Sequence, residues 1–161
     1  DSTASLMQLL NANNYQKGAW VLHSLRGIMG DSAFFRGLRT YVQAHWHGNA
    51  LSQDFARIMS AHAGTDLYWY FTQALAQPGY PVFTVTKRRA GRDLVITLRQ
   101  VQEAAWGTFR LPKLQVSVDG TIHHVDVTGR EATLAVPGGV ATAEVVVDPA
   151  GWWLLEVRGE K

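Results

Sequence analysis

Between Pro78 and Pro81 the hydrophobic period of the chain changes, and no other feature of the sequence constrains the fold as strongly. Before this point apolar residues recur at steps of three and four; after it they recur at steps of two. A pattern of one period does not fold stably as the other element. The chain is therefore expected to be α+β, with a helical part followed by a β part.

Four or five helices fit the first part. One spans about 14–29, with Tyr15, Ala19, Leu22, Leu25 and Met29 along one stripe, and Gly30 ends it with a left-handed residue. Asp31 or Ser32 is expected to cap the next helix, which carries Phe34, Phe35, Leu38, Tyr41, Val42 and His45 and stops at Gly48-Asn49. Ser52 is the expected N-cap of a third, with Phe55, Ile58, Met59 and His62 at helical spacing and Gly64 as its stop. Asp66 can cap a fourth carrying Leu67, Tyr70, Phe71, Ala74 and Leu75, which Pro78-Gly79 terminates.

Seven short strands are expected after Pro81. They fall near 82–86, 94–98, 114–118, 122–127, 132–136, 145–147 and 153–157, with turns at Ala90-Gly91, Asp119-Gly120, Gly129-Arg130 and Gly138-Gly139. Their spacing predicts an antiparallel, immunoglobulin-like β-sandwich after a helical bundle, with the domain boundary between residues 1–79 and 80–161. Trp152 and Trp153 would then point to opposite faces of the last strand, at least one of them packing under the sandwich or against the helical part.

Composition narrows the function. The chain has 161 residues, is 47% hydrophobic and 17% charged, and has a net charge of +2, so it can bury a core and has no strong field for nucleic acid. With no Cys there is no disulfide framework, thiolate nucleophile or Cys-bound zinc. No apolar run reaches the roughly 20 residues of a membrane span. The expectation is a soluble protein, cytoplasmic or periplasmic, with the compartment left open.

Six His residues raise the question of metal binding, but their spacing does not favour it. His45 and His47 diverge at a helix end, His123 and His124 point to opposite faces of a strand, and His23 and His62 read as packing residues. The first Glu of the chain is Glu103, so the helical part contains no H-E-x-x-H zinc helix. The G-x-S-x-G elbow, the phosphate loop G-x-x-x-x-G-K-[ST] and the G-x-G-x-x-G of dinucleotide folds are also missing. No residue of this chain is expected to hold a metal or a cofactor.

One segment stands apart. Residues 13–26, Asn-Asn-Tyr-Gln-Lys-Gly-Ala-Trp-Val-Leu-His-Ser-Leu-Arg, resemble the Y-x-K-G-A-x-V-L-x-x-L-R helix of aminopeptidase N-like zinc metallopeptidases, the gluzincins. Further stations follow in order: Phe35-Arg36-Gly37-Leu38-Arg39-Thr40-Tyr41, Asp54-Phe55, Gly64-Thr65-Asp66-Leu67 and Pro78-Gly79-Tyr80-Pro81. In the β part, Gln100, Phe109-Arg110-Leu111-Pro112, Val147-Asp148-Pro149 and Trp152-Trp153-Leu154-Leu155 are similar to the sandwich that follows the catalytic domain in those enzymes.

The resemblance implies that the helical part is the end of a thermolysin-like catalytic domain, and it gives Tyr15 a catalytic role. In the family the tyrosine of Y-x-K-G lies across the active site from zinc and donates a hydrogen bond to the oxyanion. A phenol suits that task as a neutral donor that keeps its proton. Lys17 and Gly18 would lie where the helix packs closely, and Arg26, Arg36 and Arg39 would either snorkel or pair with Asp31 and Asp54. The family's zinc helix, its downstream Glu ligand and its G-x-M-E-N motif should precede Tyr15 and do not. The resemblance thus implies a fragment, inactive alone, of a zinc aminopeptidase whose partners are peptide substrates and the missing N-terminal and zinc-bearing domains, with no nucleic acid and no membrane span. Two other readings stay open: a non-catalytic structural or interaction module, and part of a degenerate homologue that has lost zinc.

Overall fold

The structure, a computed structural model, describes residues 12–159. It divides into two compact units, Asp1–Ala74 and Leu75–Lys161. Four helices are described: α1 (Ala12–Met29), α2 (Asp31–Ala44), α3 (Ser52–Ala63) and α4 (Tyr68–Ala76). They are followed by β1 (Val82–Ala90), β2 (Asp93–Gln100), a short 3-10 turn (Ala104–Trp106), β3 (Leu111–Val118), β4 (Thr121–Val127), β5 (Glu131–Pro137), β6 (Val145–Val147) and β7 (Glu156–Arg158).

The core of the helical unit includes Leu25, Phe34, Ala56, Ile58, Met59, Leu67, Tyr70 and Phe71. Helices α2 and α3 meet at Gly37, where a Cβ would lie 2.7 Å from Met59 Sδ, so only hydrogen fits without repacking. Aromatic edges lock the layer, with Phe55 against Tyr41 at 4.9 Å and against Phe71 at 5.8 Å.

The helix starts differ from the expected caps. The N-cap of α2 is Gly30 (φ 75), with no side-chain bond, and Asp31 lies inside the first turn. Its carboxylate is engaged by the Arg26 guanidinium through two bonds of 2.7 and 2.8 Å, which leaves it unavailable as a cap. Helix α3 begins at Ser52 with Leu51 as N-cap, and the Leu51 N–H donates to Asp54 at 3.0 Å. Helix α4 begins at Tyr68 with Leu67 before it, and Asp66, one residue further out, accepts the Tyr68 N–H at 2.9 Å instead of occupying the cap position itself.

The β unit is a sandwich of two sheets, ordered β5-β2-β1-β7 and β4-β3-β6. Inward residues of both, among them Phe83, Leu94, Ile96, Leu98, Leu111, Leu114, Val116 and Val127, form one buried cluster. The pairing is antiparallel except at one edge, where β7 joins β1 in parallel at Val82↔Glu156, Phe83↔Val157 and Thr84↔Arg158. The last strand also starts later than its apolar run. The buried Asp148 carboxylate accepts the N–H groups of Trp152 and Trp153 at 3.0 and 2.7 Å, so these residues lie in the irregular stretch that follows the turn at Pro149-Ala150, and Trp153 packs partly buried against the core. Strand β3 starts earlier than expected because a bulge between Leu111 and Leu114 absorbs Pro112, which has no ladder donor.

Two amides bind the β unit from inside. Gln100, 1% exposed, donates to the carbonyls of Phe109 (2.7 Å) and Gly129 (2.9 Å) and accepts the Phe109 N–H (2.9 Å). Gln102 donates to Gln100 Oε1 and to the Gly107 carbonyl, both at 2.9 Å, and accepts the Val82 N–H at 3.2 Å. At the entry to the unit, Gly79 (φ 73) lies under the Trp106 ring, where a Cβ would come within 2.2 Å of the indole.

Candidate functional site

Helix α1 positions Tyr15, and its inward face is not the stripe the apolar pattern predicts. Ser24 and Leu25 are buried, and Val21 and Ile28 are half-buried beside them. The Tyr70 hydroxyl donates to the Val21 carbonyl at 2.6 Å, pinning this face from α4. Burial pushes the Tyr70 phenol well above the ordinary tyrosine range, with a smaller opposing effect of its hydrogen bond to Ser24.

Tyr15 lies nine residues before Ser24, two and a half turns, and so faces the opposite way. It is 67% exposed, and Leu22 is 42% exposed on the same outward side. The correction has a simple cause: the inward stripe runs through Val21, Ser24, Leu25 and Ile28, and a polar Ser at its centre hides it from an apolar count. Gly18 is exposed with nothing within 4 Å of a Cβ, so the close helix contact expected there is instead made by Gly37.

One and two turns beyond Tyr15, α1 forms a shallow depression of about 290 Å³, lined among the described residues by Ala19, Trp20 and His23. Ala19 provides a low floor, and the Trp20 and His23 rings meet edge to face at 5.6 Å. The spacing Tyr15, Ala19, His23 contains this line of residues at i, i+4 and i+8, a signal that the apolar pattern does not use.

The arginines divide. Arg26 pairs with Asp31 and stacks 5.2 Å from the Phe35 ring; Arg36 bonds to Ser32, and Asp54 is met by Arg57 at 3.7 Å, not by Arg39. The Arg26 guanidinium holds the Asp31 carboxyl below the usual carboxylate range, chiefly by hydrogen bonding. The histidines do not converge. His62 bonds to Thr40 at 2.9 Å, His45 Nδ1 lies 3.1 Å from the Asn49 carbonyl, and His23 is exposed instead of packed inside. His123 and His124 stand opposite Val116 and Gln115, on the two faces of β4. Among the described residues no group of three or more His, Cys, Asp or Glu has a geometry that could hold a metal ion.

The sequence pattern of the peptidase family M1 domain matches residues 1–73, the segment that contains Tyr15. The chain is similar to aminopeptidase N-like proteins of peptidase family M1. Aminopeptidase N of Lactococcus lactis is 38% identical to it over 68 residues, which is 42% of this chain and 8% of that protein. A probable M1 family aminopeptidase of Encephalitozoon cuniculi is 27% identical over 166 residues, spanning 94% of this chain and 18% of the relative. Among solved structures, Legionella pneumophila aminopeptidase A in complex with aspartic acid has the same fold, with a TM-score of 0.77 and 15% identity over 95% of this chain and 18% of that one. The chain thus spans less than a fifth of the length of each of these relatives. No helix among its described residues is long and apolar enough to cross a membrane.

Proposed function

We propose that this chain is a piece of a zinc aminopeptidase that hydrolyses N-terminal residues from peptides, and that Tyr15 is its catalytic residue. In this reading residues 1–79 are the helical end of the catalytic domain and 80–161 are the sandwich that follows it. The observation that carries the reading is the M1 match over residues 1–73 together with the outward position of Tyr15 on α1. A tyrosine whose role was to anchor the core would be buried, as Tyr70 is.

When water attacks a peptide carbonyl, negative charge develops on the carbonyl oxygen. The Tyr15 phenol donates its O–H to that oxygen and keeps its proton while doing so. The helix holds the phenol in place without desolvating it, because α1 is fixed through Leu25, Ser24 and Val21 on its far side. The described residues form no zinc site, so zinc, which would supply the activated water, belongs in this reading to other segments of the longer protein. The peptide substrate and those segments are the partners.

Tyr15→Phe in the whole gene product tests the proposal. Turnover of an aminoacyl-chromogenic substrate is expected to fall about 10²- to 10³-fold, roughly 3 to 4 kcal/mol of transition-state stabilisation, with KM and melting temperature little changed. The 161-residue chain alone is expected to release no product in a chelator-sensitive way. Full turnover by the Phe variant would remove Tyr15 from the mechanism.

A further inference from the structure

We propose that Tyr70 is a positioning residue for the hydrolysis: its buried hydroxyl, bonded to the Val21 carbonyl, sets the tilt of α1 and with it the place of the Tyr15 phenol. The inference rests on the aminopeptidase reading and names the side chain through which the helical unit governs Tyr15. From Tyr15 to His23 no residue of α1 is buried, whereas Ser24 and Leu25 are. Among the described residues, the turns that carry Tyr15 are therefore anchored from one end.

The contacts at that end differ in what they can fix. Leu25 packs by apolar burial, which is non-directional and constrains tilt only loosely. Arg26 meets Asp31 where both reach solvent, and water and salt weaken such a pair. The Tyr70 bond is short, at 2.6 Å, directional, and shielded in a residue only 3% exposed. It falls on the carbonyl that the helix ladder pairs with the Leu25 N–H, and Ser24 and the Leu25 backbone bond the same phenol. A side chain seated on a rung of the ladder sets the bend of a helix there. Tyr15 lies six residues before Val21, about 9 Å along the axis, so a tilt of about 6° at this rung moves it by about 1 Å. A displacement of that size is enough to cost a catalytic group up to about 10²-fold in rate. A phenylalanine would fill the same space in the core, so the hydroxyl is the part of Tyr70 that packing does not require.

A double-mutant cycle tests this. In the whole gene product, kcat and KM for an aminoacyl-chromogenic substrate are measured for the wild type, Tyr70→Phe, Tyr15→Phe and the double variant, well below the melting temperature. Tyr70→Phe is expected to lower kcat about tenfold with KM changed less than about twofold. In the Tyr15→Phe background the same change is expected to cost less than about twofold, because the group it positions has lost its hydroxyl. Amide exchange of α1 and α4 shows whether Tyr70→Phe is folded; if it is not, Ser24→Ala, which removes another bond to the same phenol, is expected to show the same dependence on Tyr15. A loss of kcat of equal size in both backgrounds would mean that Tyr70 serves the fold alone and would overturn the inference, as would an unchanged kcat in folded Tyr70→Phe. Loss of the aminopeptidase reading itself would appear elsewhere, as a Tyr15→Phe variant with full turnover, whatever Tyr70→Phe does.

Discussion

The two units handle their apolar residues differently. In the β unit a single cluster takes nearly every inward position of both sheets, and two buried glutamines tie loop to strand. The helical unit has a smaller core among the described residues, and its exposed apolar residues include four aromatic rings, Tyr15, Phe35, Trp46 and Tyr68, whereas the large exposed ones of the β unit, among them Ile122, Val140, Val146 and Val157, are aliphatic. The difference teaches that the β unit keeps its large rings for its core, whereas the helical unit carries outward aromatic rings that its core does not use. Residues unused by folding are where a functional surface is to be sought.

The comparison can be broken most directly at Gln100. Gln100→Leu would strand the Phe109 N–H and carbonyl, the Gly129 carbonyl and one bond of Gln102, at a cost of about 4 kcal/mol, since each buried group left unpaired costs about 1 to 3. Hydrogen exchange should show the loss in β2, β3 and the 100–110 loop. An exchange pattern like that of the wild type would mean that the amide network does not hold the unit.

Within the helical unit, two glycines of the same motif series should respond with opposite signs. Gly37→Leu must displace Met59 and is expected to cost about 2 kcal/mol after its gain in helix propensity. Gly18→Ala meets open space in the 161-residue chain and is expected to stabilise it by up to about 1 kcal/mol. Thermal melts of the two variants sharpen the distinction between the inner and the outer face.

Tyr70 should produce a smaller, pH-dependent effect. Its phenol titrates higher in the folded chain than in the unfolded one, so its contribution is fully present below about pH 10 and is lost as pH rises further. Tyr70→Phe is expected to cost about 1 kcal/mol at neutral pH and to reduce the alkaline loss, as read from denaturation midpoints between pH 8 and 11. The smallest effect is expected at Asp31. Its carboxyl is lowered by Arg26, so the pair contributes above the ordinary carboxylate range and is lost as pH falls through it. Because both partners reach solvent, Asp31→Asn should shift the melting temperature only slightly, and not at all in high salt.

Particular residues show what the sequence made legible. The period change at Pro78–Pro81 located both element types, and the spaced turns gave seven strands, because alternation and 3.6-residue repeats are local properties of the chain. What escaped was decided by single polar contacts. Ser24 replaced an apolar residue at the centre of the inner face of α1, and Arg26 took the carboxylate expected to cap α2. Asp148 drew the Trp152 and Trp153 N–H groups away from a strand, and the parallel edge of β7 depends on where a distant loop returns. The outward position of Tyr15 follows from the first of these, so no apolar count could have found it.

The return of β7 beside β1 has one further consequence. The Glu156 N–H donates to the Pro81 carbonyl at 3.0 Å, so the polypeptide leaves the sandwich at the corner where it entered. A module whose two ends meet behaves like a cassette. Its loops and outer strands can lengthen, shorten or be exchanged for those of another sandwich while the distance between entry and exit stays fixed by one short ladder, Val82–Thr84 against Glu156–Arg158.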